Sequence, residues 1–177
     1  MPIAPSAPRP DQVLQVPSSS CGTVEDEWID RNGHMNIRHY LDIGALTTDQ
    51  VIRAAGIDDD YRADRRMGVF TAEQHLTYLQ EMRLGTPYSA HVRILDRSAK
   101  ACHLLALIMD RTHDRLACLF ETVLVHVDLQ SRSSTAFPED VAAAYDRLQA
   151  EDRARSTWPA PVCGILGPTR RSSGDNS

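Results

Sequence analysis

Residues 116–127 read LACLFETVLVHV, a run in which only Glu121, Thr122 and His126 are polar. It is too short to cross a bilayer as a helix, which takes about 20 residues. Its β-branched and aromatic content reads as a strand, and a strand that is apolar on both alternating sets of side chains has to be covered on both faces. The rest of the chain can be read as what supplies the neighbours and the covering layers.

The neighbours come first. Val69–Glu81, Tyr88–Asp96, Ala101–Asp110 and Leu116–Asp128 all read as strands, separated by breaks at Arg83–Pro87, Arg97–Lys100 and Arg111–Arg115. Breaks this short join antiparallel neighbours. A fifth, shorter strand is expected over Thr23–Ile29. Between it and the others, Ile37–Ala55 predicts a helix that buries Ile37, Leu41, Ala45, Thr48 and Ile52, with Gly56 as its left-handed cap. Asp58–Arg66 reads as a charged loop, and Glu139–Ala150 as a short closing helix behind Pro138. The fold class is α+β, one long helix against a five-stranded antiparallel sheet. One helix leaves part of that sheet and an edge strand uncovered, which points to a homodimer or homotetramer.

Eight of the ten prolines fall in residues 1–21 or 153–177. These two segments read as disordered, dispensable tails around a single domain at 22–152. That domain carries 14 basic and 22 acidic residues, the wrong sign for a nucleic-acid partner. No apolar run is long enough to span a membrane, and the proline-broken N-terminus is unlike a signal peptide, so the expected location is cytoplasmic. The four cysteines, at 21, 102, 118 and 163, show neither metal-ligand nor disulfide spacing. No zinc site is expected from them.

The chemistry concentrates in Asp30-Arg31-Asn32-Gly33-His34-Met35-Asn36, with Tyr40 one turn into the helix. Asn36 is a good N-cap. The first turn of a helix has unpaired N–H groups and a partial positive charge, which can polarise a carbonyl oxygen and stabilise an oxyanion. A carboxylate beside such a site is a minimal kit for acyl transfer to water. Asp30 also fits a plain turn-capping role. On the strand Val69–Glu81, Glu73 and His75 share one face, with Phe70 and Tyr78 on the other. Glu73 and His75 read either as a solvated face or as the border of an acyl pocket. His103 and His126 read as structural histidines. Arg83, Arg93, Arg97, Lys100 and Arg111, near strand ends, are candidates for binding phosphates.

The pattern D-x-x-G-H-M-N-x-x-x-Y resembles the signature of hotdog-fold acyl-CoA thioesterases of the 4-hydroxybenzoyl-CoA thioesterase-like branch. With Glu27-Trp28-Ile29-Asp30 and Glu73-Gln74-His75-Leu76, it is most similar to the betainyl-CoA thioesterases of carnitine breakdown. The resemblance implies a helix wrapped by a curved sheet, an acyl-CoA substrate and no cofactor. It implies Asp30 as nucleophile or general base and Asn36 with the Ile37 N–H at the oxyanion site. Trp28, His34, Tyr40, Glu73 and His75 are then the substrate-binding candidates. The alternatives from other classes are a hotdog enoyl-CoA hydratase or dehydratase, and a non-catalytic acyl-CoA-binding protein.

Overall fold

The computed structural model describes residues 7–168. In chain order they form helix α1 (Pro10–Val13), strand β1 (Ser18–Thr23), a single 3-10 turn (Asp26–Trp28), helix α2 (Ile37–Ala54), helix α3 (Asp59–Arg65), strands β2 (Met67–Tyr78), β3 (Pro87–Arg97), β4 (Ala101–Asp110) and β5 (Arg115–Asp128), the two-residue β6 (Ser133–Ser134) and helix α4 (Glu139–Arg155). The five longer strands make one antiparallel sheet in the order β1-β3-β4-β5-β2, with β6 appended to β5. This is the expected α+β architecture, with β4 and β5 central and buried along most of their length.

Several elements differ from expectation: α1 falls in the expected N-terminal tail, and α4 runs on to Arg155, past its expected end at Ala150. The first strand lies at Ser18–Thr23, and the stretch 24–29 turns through the 3-10 element instead. The β1 sequence SSSCGT has no apolar pattern; it is a strand because it adds to the edge of β3 between Pro87 and His91. The charged stretch after Gly56 is a helix, not a loop. The Asp58 side chain accepts from the Tyr61 N–H at 2.8 Å, acidic residues occupy the first turn and arginines the last.

Helix α2 has the expected bounds, with Asn36 as its N-cap and Gly56 at φ +94° beyond its end. Its buried face is rotated from the expected one. Tyr40, Ile43, Gly44, Thr47, Thr48 and Ile52 are buried, whereas Ile37, Leu41 and Ala45 face outward. The reason is close packing: a Cβ on Gly44 would lie 2.4 Å from Cγ of Phe120 on β5, so the helix seats there. The two threonines bury at low cost because their hydroxyls donate to the helix carbonyls of Ile43 and Gly44.

On the sheet's other face the central strands are covered by the chain itself, while β2 stays exposed at residues 70–75. Leu105, Leu107, Met109, Leu116 and Leu119 pack there against Val13, Val16 and Trp158. Residues 7–16 and 156–163 of the expected tails are therefore covering layers. His91 Nδ1 donates to Val16 O at 2.6 Å, and the Cys163 N–H donates to Glu121 Oε2 at 2.7 Å. Arg93 is buried, donates to Asp152 at 2.8 Å and to Ser156 O at 3.1 Å, and stacks 4.3 Å from the Trp158 ring centroid. Prolines mimic disorder in composition, but sparse apolar anchors between them hold these segments down. Residues 1–6 and 169–177 of the expected tails lie outside the described residues. The far half of the β3 edge is met by α4, whose Gln149 side chain donates to Leu95 O at 2.8 Å. Among the described residues β2 is the long edge strand without a partner on its outer side. No helix there is long and apolar enough to cross a membrane.

Candidate active site at the start of the long helix

The polar loop is zipped into a small hairpin. Ile29 and Met35 form an isolated bridge, Asp30 N–H donates to His34 O and Gly33 N–H to Asp30 O, each at 3.0 Å. Gly33 has φ +78°, where a side chain would be strained. Asn36 N–H donates to Trp28 O and Met35 N–H to Met82 O, both at 2.8 Å, which ties the hairpin to the turn after β2. Asp30 is thereby held beside the start of α2. Its side chain is 21% exposed, its Oδ1 accepts from the Asn32 N–H at 2.8 Å, and His34 Nδ1 lies 3.7 Å away. Nothing among the described residues bonds Oδ2. The Asn36 side chain caps Arg38 N–H at 3.1 Å, and among the described residues the Ile37 N–H, the first of the helix, has no acceptor.

A cavity of about 250 Å³ opens here, walled by His34, Ile37, Tyr40, Tyr78, Gln80 and Glu81 among others. Tyr40 is nearly fully buried, donates its hydroxyl hydrogen to Gln80 O at 3.2 Å and accepts from the Met82 N–H at 3.0 Å. Burial pushes its phenol up to about 12, so it stays neutral. Tyr40 thus anchors the segment that carries Glu81. A more polar cleft of about 450 Å³ adjoins it, sharing Gln80 and Glu81 and reaching Arg83, Asp110, His113 and Arg115. Burial works to raise the Asp110 carboxyl, but hydrogen bonds from His113, Arg115 and two backbone N–H groups outweigh it and hold the carboxyl low.

The structure brings His34, Ile37 and Tyr40 to this cavity, while Asp30, 3.7 Å from His34 Nδ1, and the N-cap Asn36 sit in the adjoining loop and do not line it. It does not bring the other three candidates to this cavity. Trp28 lies against the helix, stacked on His39 with centroids 4.8 Å apart. Glu73 and His75 pair with Val123 and Glu121, on the face away from α2. His75 lines a different cavity of about 370 Å³ with Glu121, Val162 and Cys163. Strand alternation explains this, since Leu76 and Tyr78 pair with Phe120 and Cys118 on the helix side. A bulge between Thr71 and Glu73 also shifts the phase, so Phe70 points the same way as Glu73 and not with Tyr78. Among the arginine candidates, Arg93 is consumed by Asp152, and Arg97 bonds Asp146. His103 and His126 are buried and satisfied, at 2.7 Å from Glu121 and 2.8 Å from the Tyr61 hydroxyl. Gln80 and Glu81 were missed as site residues; Glu81's place at the end of a strand that faces the helix was the available signal.

A family model described as the thioesterase-like superfamily matches residues 24–145. The betainyl-CoA thioesterase of Pseudomonas aeruginosa is 32% identical over 145 residues, 81% of this chain and 90% of that protein. The L-carnitine dehydrogenase/betainyl-CoA thioesterase of Agrobacterium fabrum is 31% identical over 73% of this chain, which spans only 26% of that longer protein. Among solved structures, a Staphylococcus aureus protein in complex with CoA superposes with a TM-score of 0.74 at 27% identity, covering 81% of this chain and 90% of that one. A 1,4-dihydroxy-2-naphthoyl-CoA thioesterase from Synechocystis shares the fold at a TM-score of 0.65 and 13% identity, covering 74% and 96%.

Proposed function

Because the chain belongs to the thioesterase-like superfamily, with its hotdog fold, we propose that it hydrolyses a short acyl-CoA to the free acid and CoA. Asp30 acts on the thioester carbonyl, either attacking it through Oδ2 or taking a proton from the water that does. The carbonyl oxygen gains negative charge and accepts from the Ile37 N–H at the positive end of α2. Collapse of that intermediate expels the CoA thiolate, which takes up a proton; where Asp30 was the nucleophile, water then cleaves the Asp30 mixed anhydride to release the free acid and restore the carboxylate. His34 borders the acyl group, and Asn36 holds the helix start in place. The observation that carries this reading is the joint presentation of a half-buried carboxylate with an open oxygen and an unpaired helix N–H by one zipped loop. Betainyl-CoA, named for the relatives, is the first acyl group to test.

Two copies are proposed to pair along β2, whose outer edge is open and whose Phe70 is 65% exposed, with Ile37 and Leu41 of α2 also outward. Pairing would bring β2 residues of one copy toward the cavity of the other. The free cysteines at 21, 102, 118 and 163 fit a reducing cytoplasm.

The test is release of free CoA from a panel of acyl-CoAs by the protein and by Asp30→Ala. The expected loss in kcat is at least about 100-fold with an unchanged melting curve. A fully active Asp30→Ala would remove Asp30 from the mechanism. Hydration of an enoyl-CoA without CoA release would favour the hydratase reading instead.

A further inference from the structure

We propose that Tyr78 and Glu81 make the cavity beside Asp30 select an acyl group with a fixed positive charge, a quaternary ammonium, over a neutral group of the same shape. The inference rests on the thioesterase reading and adds the residues that set its substrate class.

Tyr78 lies on the helix side of β2, where Leu76 and Phe120 are packed away, yet it is 46% exposed and borders the cavity. Its ring stands edge to face with Tyr40 at 5.4 Å and 80°. Both hydrogen bonds of the Tyr40 hydroxyl are spent on the backbone at Gln80 and Met82. Tyr40 therefore offers no hydrogen bond to a polar acyl group; it fixes the position of its neighbour. What the half-exposed Tyr78 presents at the cavity wall is aromatic surface, which attracts a cation electrostatically.

The charges point the same way. Glu81 is the one carboxylate among the lining residues, and Asp30 sits just behind His34. Among the described residues no arginine or lysine lines the cavity. Arg83 bonds Glu81 through Oε1 alone, at 2.7 and 3.0 Å, and lines the adjoining cleft. No described residue bonds Glu81 Oε2, and the Arg83 hydrogen bond holds the carboxyl below its ordinary range, so it is ionised at neutral pH. At about 250 Å³ the cavity lies below the size range of drug-sized ligand pockets, which fits a small acyl group. A trimethylammonium carries its charge under methyl groups and donates no hydrogen bond. An aromatic face with a nearby carboxylate, and no donor requirement, is the environment that suits it.

The test compares betainyl-CoA with 3,3-dimethylbutyryl-CoA, in which carbon replaces the charged nitrogen and the shape is kept. The unmodified protein is expected to favour betainyl-CoA in kcat/KM by roughly tenfold or more. Tyr78→Leu should cut that ratio by about tenfold and Glu81→Gln by about threefold, while Tyr78→Phe, which keeps the ring, should hold it. Equal or better turnover of the neutral analogue would overturn the inference and leave the thioesterase reading standing. So would a ratio that survives both Tyr78→Leu and Glu81→Gln. No CoA release from any acyl-CoA would bring down both together.

Discussion

The two faces of the central strands are buried equally well by quite different means. On one face Phe120 receives the long helix at Gly44, and the loop leading into that helix carries the candidate site. On the other, residues 7–16 and 156–163 lie across Leu105, Leu107, Met109 and Leu119, with Arg93 clamped between Asp152 and Trp158. The helix face is covered by regular structure with periodic side chains. The outer face is covered by irregular chain with a few anchors. A strand buried on both sides demands two covers, but it does not say what either is made of.

The sharpest way to break this comparison is to stop the chain after Arg155. The outer face then loses Trp158, and Arg93 loses its bonds to Ser156 O and Trp158 O. Removing a buried Trp alone costs about 3–5 kcal/mol, and a weakened buried ion pair adds to that. Measured by urea unfolding, the truncated chain should lose more than about 4 kcal/mol, a large part of an ordinary domain's stability. A truncated chain with an unchanged midpoint would show that the outer face is covered by something else, a second copy being the first to look for.

On the helix face the matching change is Gly44→Ala, and here the sign decides. Alanine is the better helix former by up to about 1 kcal/mol, so an unpacked helix would gain stability. A new Cβ at 2.4 Å from Phe120 forces helix and sheet apart. The expected net outcome is a loss of about 1–3 kcal/mol. A more stable variant would mean that the helix does not seat on Phe120 at this depth.

These two positions also mark where the sequence was readable. The bounds of α2, β4 and β5 followed from Asn36, Gly56 and the apolar runs, because caps and two-sided burial are local signals. The Asp30–Asn36 loop was readable for the same reason: its turn, cap and carboxylate lie within seven residues. The rotation of α2 was not, since Ile37, Leu41 and Ala45 fit an apolar stripe as well as Tyr40, Ile43 and Gly44 do. The choice between them belongs to Phe120, far away in sequence. Glu73 and His75 failed differently: a strand's period of two tells which residues share a face, not which face meets the helix. The bulge after Thr71 then moved Phe70 as well. In the terminal segments, Val13, Val16 and Trp158 are too sparse to make any periodic pattern.

The smallest expected effect compares the two faces through one buried histidine on each. His91 holds Val16 against the outer face, and His126 bonds Tyr61 and Thr135 beside the helix-face core. Burial lowers both below the ordinary histidine value, so each is kept neutral in the folded chain. The unfolded chain takes up protons near its ordinary value of about 6.5 while the folded chain does not, so stability is full above that pH and declines below it. Glu121 runs in a separate window. Burial pushes its carboxyl up, but bonds from His103 and the Cys163 N–H outweigh that and hold it low. Its contribution is therefore present above about 4.3–4.5 and lost only in stronger acid. The melting temperature should fall by a few degrees, roughly, between pH 7 and pH 5.5. His91→Gln and His126→Gln should each flatten part of that slope, by similar amounts if the two covers are equally tight. A slope that only His126→Gln flattens would show that the outer cover opens enough to hydrate His91, and that the irregular layer is the looser of the two.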